Sequence, residues 1–119
     1  MMRKILLSLC LVIVSIGFSL SCSKSNAPDA PPLDCSTVTN KNFAANINPI
    51  VQSTCNQPSC HDVASVNGPG PLTNYTQVFN ARAAIRPAIA SGLMPQNRTL
   101  TTAEKNSILC WIDSGAPNN

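Results

Sequence analysis

The sequence predicts an all-α domain of three to five short helices joined by substantial loops. Apolar residues recur at helical spacing in two separate segments. A capping box and a terminating glycine bracket the second of them. No stretch alternates apolar and polar residues with a period of two, and no internal repeat is present.

Residues 1–21 precede this domain. Met1-Met2-Arg3-Lys4 is a short cationic start, and Ile5 to Leu20 is an almost unbroken apolar run without charge. That run falls short of the roughly 20 residues a permanent membrane-crossing helix needs, so it reads as a signal peptide. Cys10 lies within it. Ser19-Leu20-Ser21-Cys22 resembles a bacterial lipobox, which implies that Cys22 becomes a lipidated first residue, with ordinary cleavage near Ser21 as the plainer alternative. Acyl chains contribute about 0.8 kcal/mol per buried methylene and would hold the protein on a membrane with no spanning helix. An exported lipoprotein of the cell envelope, periplasmic or outer-membrane, is therefore expected.

Cys22 and the Pro/Ser-rich stretch after it, residues 22–39, have the composition of a tether. Of the formal net charge of +3, two charges belong to Arg3 and Lys4, which leaves about +1 after cleavage. No basic stripe remains that would suggest nucleic acid. The folded part, residues 40–119, has a size at which burial alone gives marginal stability and a cofactor or cross-link usually helps.

Within it, Phe43, Ile47, Ile50 and Val51 predict a first helix over 42–54, with Pro49 weakening its middle. Asn67-Gly68-Pro69-Gly70-Pro71 must be loop. Helical composition resumes over 73–90, read as two short helices divided before Pro87, because the residue ahead of a proline is pushed out of helical geometry. Gly92 stops that segment, and residues 93–97 form another loop. Thr101 with Glu104 starts the last helix and Gly115 ends it. Ile108, Leu109, Trp111 and Ile112 cluster on one side of that helix, with Cys110 nearly opposite.

The mature chain holds four cysteines besides Cys22, in a compartment where exposed thiols oxidise. They could form two disulfides, one metal site, or one disulfide beside a special pair. Cys55 and Cys60 stand apart because His61, the only histidine, adjoins the second. Cys35 and Cys110 have no metal-capable neighbours, and Cys110 is placed to receive a segment crossing the outside of the domain. A Cys35–Cys110 disulfide is expected, worth about 4 kcal/mol by chain entropy.

The segment Cys55-Asn56-Gln57-Pro58-Ser59-Cys60-His61 carries the chemistry. Two thiols can form thioethers with the vinyl groups of a haem, and a histidine beside the second thiol can reach the iron. The usual spacing is Cys-x-x-Cys-His, two residues shorter than here. A plain Cys55–Cys60 disulfide beside a surface histidine is one alternative. A zinc site recruiting Cys35 or Cys110 from far away is another. Met94 is the only methionine after the leader and lies in a loop between Gly92 and Pro95, off any apolar helical face. A methionine filling a core gap is its plainer role.

Residues from about 43 to 119 resemble a c-type cytochrome domain as found in small exported bacterial lipoproteins. The matching pieces are Asn48-Pro49-Ile50, the Cys55–His61 cluster, Gly70-Pro71-Leu72, Gly92-Leu93-Met94-Pro95, and Leu100-Thr101 leading into Ile108-Leu109-Cys110-Trp111-Ile112 and Gly115-Ala116-Pro117. The resemblance implies a small cytochrome c-like fold around one covalently attached haem c, with His61 and Met94 on the iron. It also implies that a proline after the cluster supplies the carbonyl orienting His61, Pro71 matching best and Pro69 being its rival. Trp111, Ile108, Ile112 and Phe43 then pack core and haem. Tyr75 reads as a half-buried structural residue, with a haem propionate as its other possible partner.

Electron transfer to redox partner proteins is the function this implies, with no small-molecule substrate and no enzymatic activity. A haem-free, disulfide-stapled lipoprotein acting as an interaction module is the main alternative. A five-coordinate haem acting as peroxidase or sensor is a third. Neither a serine nucleophile with a partner base, clustered carboxylates nor a phosphate-binding glycine loop is present to suggest other catalysis.

Overall fold

A computed structural model describes residues 32–119, so the signal peptide, the Cys22 lipidation site and the first part of the tether lie outside the described residues. Pro32–Asn119 forms one compact unit. Its regular elements are all helical, and no strand occurs among the described residues.

The expected helix over 42–54 is helical throughout but changes pitch. Phe43–Ile47 is a π-helical turn, closed by the Ile47 N–H on the Asn42 carbonyl at 3.1 Å, and it runs directly into α1, Asn48–Thr54. Pro49 thereby sits in the first turn of an α-helix, where its missing N–H costs nothing. The wider turn before it relieves the clash its ring would make with the carbonyl of Ala45. Phe43, Ile47 and Val51, four residues apart, form one buried face.

The next helix, α2, is a single element over Tyr75–Ser91, not two helices divided at Pro87. Asn74 caps its start by accepting the Gln77 N–H, and Gly92 ends it at φ 75°, a left-handed position that glycine takes without strain. Val78 and Ala81 before the proline and Ile89 after it are all buried. Continuity across Pro87 keeps these three in the core, and that burial outweighs the local proline penalty of about 3 kcal/mol.

The last helix, α3, covers Thr102–Asp113. Its capping box is complete: Thr101 Oγ1 accepts the Glu104 N–H, and the Glu104 carboxylate accepts the Thr101 N–H at 2.8 Å. Gly115, at φ 91°, turns the chain after it. Trp111 is wholly buried and donates its Nε1–H to the Pro117 carbonyl at 2.9 Å, while Ile112 is only partly buried. Phe43 meets Trp111 and the edge of Tyr75, with ring centroids 5.5 and 4.9 Å apart. The C-terminus closes the same cluster, since Asn119 accepts the N–H groups of Phe43 and Ala44 at 2.9 and 2.8 Å.

Cys35 and Cys110 are joined as expected, with S–S 2.02 Å and Cα–Cα 5.3 Å. Cys110 is fully buried beneath the crossing segment, whose Cys35 carbonyl also accepts Lys41 Nζ at 2.9 Å. Residues the composition assigned to the tether are therefore bonded to α3. Among the described residues no helix is long and apolar enough to cross a membrane.

Candidate functional site

The Cys55–His61 segment begins where α1 ends. Cys55 is the C-cap, its N–H still bonded to the Val51 carbonyl at 2.8 Å. The chain then turns sharply: the Gln57 N–H donates to Cys55 O, the Cys60 N–H to Gln57 O, both at 2.9 Å, and the His61 N–H returns to Cys55 O at 3.1 Å. A helical turn with two residues between the cysteines would place that last bond between positions i and i+4. Here it spans six positions, so the two additional residues fold out as a loop and the first cysteine and the histidine remain backbone neighbours.

The loop is held from both sides. Gln57 Nε2 donates to the Gln52 carbonyl at 2.9 Å. Asn67 Nδ2 donates to the carbonyls of Ser59 and Cys60 at 3.0 and 3.1 Å, and Ser65 Oγ also donates to Cys60 O. Ser59 adopts φ 67°, an uncommon conformation for a residue with a Cβ that the surrounding bonds impose.

His61 is buried and tied at both its backbone and its ring. Its carbonyl accepts the Leu72 N–H at 2.9 Å, and Nδ1 pairs with the Gly70 carbonyl, also at 2.9 Å. A carbonyl can only accept, so Nδ1 is the donor, and in the neutral imidazole Nε2 is the nitrogen with the free lone pair. This corrects the expectation that Pro71 or Pro69 supplies the acceptor. Gly70, at φ 96°, reaches a conformation closed to residues with a Cβ and so turns its own carbonyl inward. Pro71 shapes that peptide, because its nitrogen is the one the Gly70 carbonyl acylates, but it does not furnish the oxygen.

These groups open onto a cleft of about 670 Å³, lined by Cys55, Cys60, His61 and Met94 together with Ile47, Val51, Val78, Ile89 and Trp111. Its size lies within the roughly 300–1,000 Å³ of pockets that take small-molecule ligands and cofactors. Met94 enters from the segment 92–100 between α2 and α3. Its N–H bonds the Ala88 carbonyl at 3.1 Å, and its side chain is partly buried against the core. Pro69 also lines the cleft.

Cys55 and Cys60 are both free thiols. Burial pushes the Cys55 thiol up to about 11, with Arg98 opposing the rise and Cys60 adding to it. At neutral pH this sulfur is a protonated thiol and a poor partner in disulfide exchange. The zinc alternative loses its distant ligands, because Cys35 and Cys110 are bonded to each other. Tyr75 donates its hydroxyl to the Ala116 carbonyl at 3.0 Å, the structural role expected for it.

Sequence reasoning missed Gly70, Asn67, Ser65 and Ser59. The Gly/Pro stretch marked Gly70 as a turn, but nothing in the linear spacing shows which carbonyl faces the imidazole or which side chains cross to the cysteine loop. Compared with known proteins, the chain matches no family model, no curated protein and no solved structure.

Proposed function

We propose that this domain is a mono-haem c-type cytochrome that carries single electrons, anchored outside the cytoplasm through lipid on Cys22. One observation carries the reading: two free thiols, an imidazole with one free nitrogen and a thioether line the same apolar-walled cleft. That donor set matches the needs of a covalently held porphyrin iron. Cys55 and Cys60 would each add S–H across a vinyl group, an addition that consumes no oxidant. His61 Nε2 and Met94 Sδ would hold the iron.

The chain's own residues prepare these roles. The Gly70 carbonyl fixes the tautomer and orientation of His61 and raises its basicity as a ligand. Ile47, Val51, Val78 and Trp111 give the cleft an apolar wall, and the folded-out loop keeps Cys55 and His61 adjacent despite the longer spacing. When bound, haem c supplies a one-electron ferric/ferrous couple whose potential methionine ligation raises. With His61 and Met94 both holding the iron, no protein-free position would remain for a substrate, and other redox proteins would be the partners.

The haem-free reading is already stapled by Cys35–Cys110 and leaves two free thiols beside a histidine in one cleft without a role, which supports the cytochrome. The test is expression with a cytochrome maturation system. The full chain should be red and keep its colour through denaturing electrophoresis, and changing Cys55 and Cys60 to alanine should abolish it. A colourless product from the unaltered chain would overturn the proposal.

A further inference from the structure

We infer that Glu104 and Lys105, neighbours in the first turn of α3, are positioning residues that hold the segment 92–100 from both flanks and so set where Met94 stands. The inference rests on the reading of Met94 as an iron ligand. On the near flank, Lys105 Nζ donates to the Ala90 carbonyl at 2.7 Å. Carbonyls in the last turn of a helix lack helical partners and form its negative end, so an ammonium there satisfies an orphan acceptor with favourable charge.

On the far flank, the Glu104 carboxylate accepts three donors: the Thr101 N–H at 2.8 Å, Thr101 Oγ1 at 3.0 Å and Arg98 Nη2 at 2.5 Å. The segment between has little of its own to hold it. Leu93 is 65 % exposed, and its N–H makes only a long 3.4 Å contact to Ser91 Oγ. Met94 contributes one backbone bond, to Ala88. Both flanks thus converge on consecutive residues of the helix that also carries Trp111 into the cleft. Alongside the Met94–Ala88 bond, α3 therefore sets the placement of Met94 relative to the cleft wall.

The experiment uses the full chain after maturation, as Lys105→Met, Glu104→Gln and Lys105→Arg. Two readouts are taken: the sulfur-to-iron charge-transfer absorbance of the ferric protein, and amide exchange across 92–100. Lys105→Met and Glu104→Gln should each speed exchange of 92–100 by about fivefold, the scale of one exposed polar link. The same two variants should weaken the charge-transfer band, while exchange in α1 and in α2 ahead of its last turn stays unchanged. Lys105→Arg should restore both signals. Unchanged exchange at 92–100, or a rise spread evenly over the domain, would overturn the inference. If the protein takes no haem, the cytochrome reading fails by the absorbance arm, and the exchange arm still decides whether these residues hold the segment.

Discussion

Cys35 and Cys110 lie 75 positions apart and are bonded, whereas Cys55 and Cys60 lie five apart and are not. The first pair has its Cα atoms 5.3 Å apart, inside the range a disulfide needs, where an incoming segment covers the outer side of α3. The second pair is governed by a turn whose amides return to Cys55 and Gln57, and both residues line the cleft. Sequence distance therefore predicts pairing poorly here. Where the backbone carries each cysteine decides it: one pair is bonded across the fold and the other stands as free thiols at the cleft.

The sharpest way to break that contrast is to remove each pair in turn. Cys55→Ala with Cys60→Ala should eliminate covalently bound haem entirely while leaving the Cys35–Cys110 bond intact, as read by haem staining and thiol titration. Cys35→Ala with Cys110→Ala should do the reverse. Denaturant unfolding should show a loss of about 4 kcal/mol, and haem per folded molecule should not change.

A smaller effect tests the loop between the close pair. Ser59→Val places a β-branched residue at φ 67° and should destabilise the domain by roughly 1–2 kcal/mol in the same unfolding assay. It should also raise the fraction of molecules with only one thioether.

Acid provides a gentler probe. The Thr101 N–H first and Arg98 second hold the Glu104 carboxyl below its usual range. A depressed folded-state value means this stabilisation is present above the ordinary glutamate value of about 4.3 and is lost as pH falls through the folded one. The stability advantage of the unaltered chain over Glu104→Gln should accordingly shrink below about pH 4.3. The weakest effect belongs to the exposed Arg86–Asp113 pair at 2.6 Å, where Asp113→Asn should move the unfolding midpoint least of all these changes and leave both cysteine pairs as they are.

Much of this was legible from residue order. The capping box at Thr101 and Glu104 and the apolar spacing over 42–54 located two helical segments because they are local signals. The Cys35–Cys110 bond followed from setting aside the two cysteines that lead into the only histidine. Pro87 misled because the rule against helix before proline is local, while the burial of Val78, Ala81 and Ile89 that overrides it is tertiary. The Gly70 carbonyl was hidden for a different reason: its direction depends on a positive φ that glycine permits but does not announce. The bonds from Asn67 and Ser65 cross between loops, and no spacing rule encodes them.

Peptide mapping of the matured protein after alkylation tests the central claim most directly. The peptide holding Cys55 to His61 should carry the added mass of one haem and take up no alkylating agent at either sulfur. The same peptide recovered without that mass, with its two cysteines alkylated or joined to each other, would contradict it.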